Sequence, residues 1–218
     1  KILSLAKTCD FVIVLAHAGL EHYSIPQKEW RHRYKHFCDL GADIVVGSHP
    51  HVPQGYENYN DSIIFYSLGN FYFDTLNFRN KEDRSYALYI QLSKENGVNF
   101  KPIYHHKENG KVYLSPKEKW TDISLLNSQL GDKYRELHNQ MSLKTFERIK
   151  KNLIFSLSSY PFDGEFISSI KKIISHMLRR NMVDKKTLSL HLLRNEAYYY
   201  AAKHALEITN VKERYHKN

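Results

Sequence analysis

Two apolar runs, FVIVLA at residues 11–16 and DIVVG at residues 43–47, flank a stretch with helical spacing. A continuous apolar run is what a strand buried on both faces needs. In QKEWRHRYKHFCDLG, Trp30, Tyr34, Phe37 and Leu40 step by four, three and three, the stripe of an amphipathic helix. Pro26 suits the first turn of that helix, and Gly41 stands where its end wants a residue able to take positive φ. Strand, helix and strand within residues 11–49 make a βαβ unit, with parallel pairing and a right-handed crossover. Few patterns narrow a fold further, and this one puts the first half of the chain in the α/β class.

The segments that follow are antiparallel in character. QGYENY and SIIFYSLG are joined by Asn60-Asp61, a turn pair, and SYALYIQLS alternates with period two before KENG and VNFKPIYHH, which predicts a hairpin. GKVYLS is a candidate third strand. From about residue 121 the spacing is helical. LKTFERIKKNLIFSLSS, EFISSIKKIISHMLRR with Asp163 as its N-cap, and KKTLSLHLLRNEAYYYAAKHALEI each carry an apolar stripe, the last through Leu188, Leu192, Tyr199, Ala202 and Leu206. Seven of the nine glycines lie in residues 1–110, which agrees with turns there and helices afterwards. The expected organisation is an α/β part at residues 1–115 and a basic α-helical extension at residues 116–218.

Charge divides along the same line. Residues 1–110 hold 12 Lys/Arg and 12 Asp/Glu, whereas residues 111–218 hold 20 and 11, so the whole excess of +9 sits in the second half. Such a half suits a polyanionic partner, or is simply a solvated helical surface. No reading helix, zinc finger or aromatic RNA-binding run accompanies it, which argues against nucleic acid. P-loop, dinucleotide and nucleophile-elbow patterns are absent too. No run approaches the length of a membrane span, so any membrane association is expected through a longer protein. The opening, KILSLAKTCDF, reads as the end of a helix entering a strand, as if the sequence began inside a fold. Cys9 and Cys38 make no disulfide framework and are expected as two buried thiols.

Ligands of open α/β sheets bind beyond the carboxyl ends of the strands. The first run ends in His17, with Glu21 four residues on. The second ends in Ser48-His49-Pro50-His51, and IIFYS ends in Leu68-Gly69-Asn70. In an extended segment His49 and His51 would point to the same side. Neutral imidazoles gathered at strand ends suit a transition metal. Glu21 could ligate, orient an imidazole or transfer a proton. Of the 13 histidines, His22, His105 and His106 receive no role, His22 being read as surface or satisfied core.

FVIVLAHAGLEHY, GADIVVGSHPHVPQGYE and IIFYSLGNFYFD, in that order, resemble the second half of the CapA-type proteins of poly-γ-glutamate capsule synthesis. The resemblance covers residues 10–74 and continues more weakly to about residue 105. It implies the second half of a calcineurin-like metallophosphatase two-sheet sandwich. It makes His17 and Glu21 catalytic, His49 and His51 metal ligands, and Gly69, Asn70 and Asp74 substrate-binding or site-shaping residues. The implied cofactor is divalent Mn, Zn or Fe, mononuclear or dinuclear. The family plan also has a Gly-Asp and an Asn-His segment bearing acidic ligands, and neither is in this sequence, so the N-terminal half of the domain is an expected partner. Ala18 stands where a large aromatic is usual, and Ser48 precedes the His-Pro-His. Two functions follow as expectations. One is a metal-dependent phosphoesterase-like hydrolase in exopolymer metabolism. The other is a non-catalytic capsule-synthesis accessory protein that holds an anionic polymer or partner enzymes. Location stays open between the cytoplasm and a membrane-associated place at a bacterial cell surface.

Overall fold

The computed structural model describes residues 1–73, 83–157 and 185–215. They divide into two compact units, Lys1–Met141 and Ser142–Asn218.

In the first unit, a single helical turn α1 (Ile2–Leu5) precedes β1 (Ile13–His17), α2 (Lys28–Asp39) and β2 (Ile44–Ser48). β1 and β2 pair in parallel, from Ile13 opposite Ile44 to His17 opposite Ser48. That register brings His17 and Ser48 level at one edge of the sheet. α2 follows Gln27 as its N-cap and stops at Leu40, with Gly41 at φ +97°. Tyr34 and Cys38 form its buried face. They join Ala42, Val45, Ile64, Tyr66 and Leu130 in one core cluster, with Trp30 and Phe37 packed against it.

β3 (Tyr56–Tyr59) and β4 (Ser62–Phe65) turn at Asn60, whose φ is +52°. The first sheet runs β1-β2-β4-β3, with β4 parallel to β2 and antiparallel to β3. β5 (Asp83–Ser93), β6 (Gly97–Glu108) and β7 (Lys111–Leu114) form a second, antiparallel sheet, so the expected hairpin and its third strand are present. Ile44 and Phe65 of the first sheet meet Tyr86, Leu88 and Phe100 of the second in another core cluster. α3 (Ile123–Ser128), capped by Asp122 accepting from the Leu125 N–H, adds Ile123 to it. The class is therefore mixed α/β with two sheets.

Three expectations are corrected. β1 is not buried on both faces: among the described residues it is an edge strand, and Leu15 is 81% exposed. Cys38 is buried, but Cys9 lies exposed between α1 and β1. The last helical stretch is two helices, α5 (Lys185–Arg194) and α6 (Glu196–Tyr215). Asn195 separates them because its side-chain oxygen accepts from the Tyr198 N–H, an N-cap that starts a new helix. Of the expected stripe, Leu192 and Ala202 are buried, joined on α6 by Ala197, Ala201 and Ala205, while Tyr199 and Leu206 are exposed.

α4 (Tyr134–Leu157) crosses from the first unit to the second, and α5 and α6 belong to the second. The stripe at residues 165–180, Asp163 and Asp74 lie outside the described residues. No described helix is long and apolar enough to cross a membrane.

Candidate metal centre

The turns after β1, β2 and β4 meet at one edge of the first sheet. Two backbone bonds lace the first pair together: the Ala18 N–H donates to Ser48 O at 3.0 Å and the His22 N–H to Pro50 O at 2.8 Å. Glu21, His49 and His51 each offer one ligand atom, and these atoms lie within 4.8 Å of one another.

His49 and His51 converge for a reason other than the extended geometry expected. Both are in the left-handed region, at φ +103° and +62°, as is His22 at +66°. Non-glycine residues there cost about 1–2 kcal/mol each. Three such residues at one strand-end cluster mark a backbone bent to aim side chains rather than to save energy.

Hydrogen bonds set the tautomers. His51 Nδ1 lies 2.9 Å from Asn70 Oδ1. A carbonyl oxygen only accepts, so Nδ1 carries the proton and Nε2 is the unprotonated ring nitrogen. His49 Nδ1 is 3.1 Å from His17 Nε2, and His17 Nδ1 is 3.0 Å from Ser48 Oγ. In the tautomer in which His49 donates to His17, and His17 to Ser48, the unprotonated nitrogen of His49 is Nε2. That nitrogen lies 3.7 Å from Glu21 Oε1. Burial, then the nearby His17, depresses the His49 pKa, against the opposing pull of Glu21. The neutral, ligating form is thereby favoured. Two imidazole nitrogens and a carboxylate oxygen are a donor set that Zn, Mn or Fe accepts. The residues therefore fit a divalent cation.

The structure thus gathers six of the seven residues singled out in the sequence. Glu21, His49 and His51 are the convergent donors, and His17 touches His49 rather than joining that triad. Asn70 is buried against His51, with its Nδ2 lacking a hydrogen-bond partner among the described residues. Gly69 has φ +80°, and a Cβ there would fall 2.4 Å from Ser85 Oγ, so the turn that delivers Asn70 needs glycine. Sequence reasoning missed two contributors. Phe73 packs its ring 4.7 Å from that of His51, and His22 stacks on His51 at 5.9 Å. For His22, adjacency to Glu21 in HAGLEHY was the available signal. The second sheet reaches the same turn: buried Lys107 of β6 donates to Phe73 O, and His105 packs edge-on against Phe71.

Comparison with known proteins meets this geometry in the same stretch. Residues 1–75 match the family model described as bacterial capsule synthesis protein PGA_cap. This part of the chain is thus similar to the bacterial capsule synthesis proteins that the family model describes. The PGA biosynthesis protein CapA of Bacillus subtilis (strain 168) is 48% identical over 68 residues, 31% of this chain and 18% of that protein. The capsule biosynthesis protein CapA of Bacillus anthracis is 37% identical over 122 residues, 56% of this chain and 24% of that protein. The chain therefore spans less than a quarter of the length of either relative.

Proposed function

We propose that this chain serves the biosynthesis of a capsule or poly-γ-glutamate-type exopolymer through a divalent-cation site of metallophosphatase-like design, acting as a hydrolase on a phosphoester-like or related anionic group. The observation that carries the reading is the convergence of Glu21, His49 and His51, whose ligand atoms lie within 4.8 Å of one another. The names of the two CapA relatives support the capsule assignment.

When bound, a cation supplies Lewis acidity and lowers the pKa of water. The chain's own residues divide the remaining work. Asn70 and His17 hold the His51 and His49 rings in register through their Nδ1 atoms. Glu21, half exposed beside His49, is placed to ligate or to take up a proton at a carboxylate oxygen. Phe73 packs its ring against His51 and adds apolar surface beside it.

The test is hydrolysis of bis(p-nitrophenyl) phosphate by protein loaded with Mn or Zn. Metal-dependent turnover, reduced about 100-fold or more in Glu21→Gln, is expected for a group that moves a proton. A loaded protein that turns over nothing would remove the hydrolase. The accessory reading would then stand on the +9 charge concentrated in residues 111–218, with an anionic polymer or partner enzymes as what it holds.

A further inference from the structure

The cluster contains an imidazole that the donor set does not use. His22 lies against two of these donors: its Nε2 is 3.9 Å from Glu21 Oε2, and its ring stacks on His51 with centroids 5.9 Å apart and planes 28° apart. The other Glu21 oxygen is the one that faces His49. His22 thus touches two of the three convergent donors while standing outside the group that shares a common centre.

The backbone fixes it there. The His22 N–H donates to Pro50 O, between the two ligand histidines, and His22 itself is left-handed. The same turn crosses Pro50 closely at Gly19, where φ is +132° and a Cβ would sit 3.0 Å from Pro50 Cγ. The turn bearing Glu21 and the turn bearing His49 and His51 are therefore clamped together, with the His22 ring as the side-chain part of the clamp.

We propose that His22 is a positioning residue of the cation site: it turns the Glu21 carboxylate so that Oε1 faces His49, and it supports the His51 ring by stacking on it. This rests on the reading of Glu21, His49 and His51 as cation ligands. Groups that orient metal ligands change affinity by about 10–100-fold when removed.

His22→Asn is the informative variant, because asparagine tolerates left-handed backbone and removes only the imidazole. Co2+ and Zn2+ titrations of the whole chain would be followed by calorimetry and by the Co2+ visible spectrum, with the unfolding midpoint of metal-free protein measured alongside. The expected result is an unchanged midpoint, about 10-fold or greater loss of affinity, and an altered Co2+ spectrum at unchanged stoichiometry. Identical affinity and spectrum would overturn the proposal. So would complete loss of binding with the fold intact, which would make His22 a ligand. Wild-type protein that binds neither ion would instead defeat the reading of the site on which the proposal depends.

Discussion

His105 shows how one buried imidazole sets a pH limit on this fold. It is 4% exposed, its Nδ1 has no hydrogen-bond partner among the described residues, and burial, then the neighbouring His106, depresses its pKa. The unfolded chain takes up a proton near the ordinary imidazole value of about 6.5, which folded His105 resists. Its contribution to stability is therefore complete above about pH 6.5 and is lost as the pH falls toward the lower folded pKa. His49, also depressed, adds a slope of the same sign in metal-free protein. Urea midpoints measured across this range should fall with pH, and His105→Leu should flatten the fall while leaving the His49 share. An unchanged slope in the variant would show that His105 does not titrate as its burial requires. A lone His-His pair in sequence gave no sign of this, because burial of residue 105 depends on Phe71, 34 positions away.

At the scale of elements, α2 is held to the sheet by a polar knot as well as by its apolar stripe. Arg31 donates to Glu57 of β3 through Nε at 2.9 Å and Nη2 at 2.7 Å, and through Nη1 to Leu130 O at 3.0 Å. Its guanidinium lies over the Tyr134 ring, and the Tyr66 hydroxyl donates to the same carboxylate. Burial pushes Glu57 upward in pKa, but the bonds from Arg31 and Tyr66 outweigh it and hold the group below its usual range. Exposed pairs are worth about 0–1 kcal/mol and breaking buried ones costs about 3–5. With these side chains 18–20% exposed, Glu57→Leu should cost about 2 kcal/mol, between those limits. Chemical denaturation checks this, and a loss under about 0.5 kcal/mol would make the knot incidental.

The βαβ unit was legible because apolar runs mark strands and a 3.6-residue stripe marks the packed face of a helix, and the period-two strands of the second sheet were legible from their alternation. Partners that come from distant sequence were not. The exposure of β1 depends on which strand lies beside it, which its own composition cannot encode. Asn195 was unread because its capping bond is local while the helical stripe runs on across it. At the site, the residue types and their strand-end placement were legible. The left-handed backbone at His22, His49 and His51, which decides where the rings point, was not.

Taken as a whole molecule, the chain concentrates its candidate chemistry in the first unit and its excess positive charge in residues 111–218. The family match lies wholly within the first unit, over residues 1–75. The account therefore rests most heavily on one statement, that the strand-end donors hold a cation. Metal content of the purified protein, measured beside a His49→Ala/His51→Ala variant, tests it most directly. About one ion of Zn, Mn or Fe per chain, lost in the variant while the fold persists, is the predicted result. No bound ion in the wild-type protein, even after reconstitution with Mn or Zn, would contradict it.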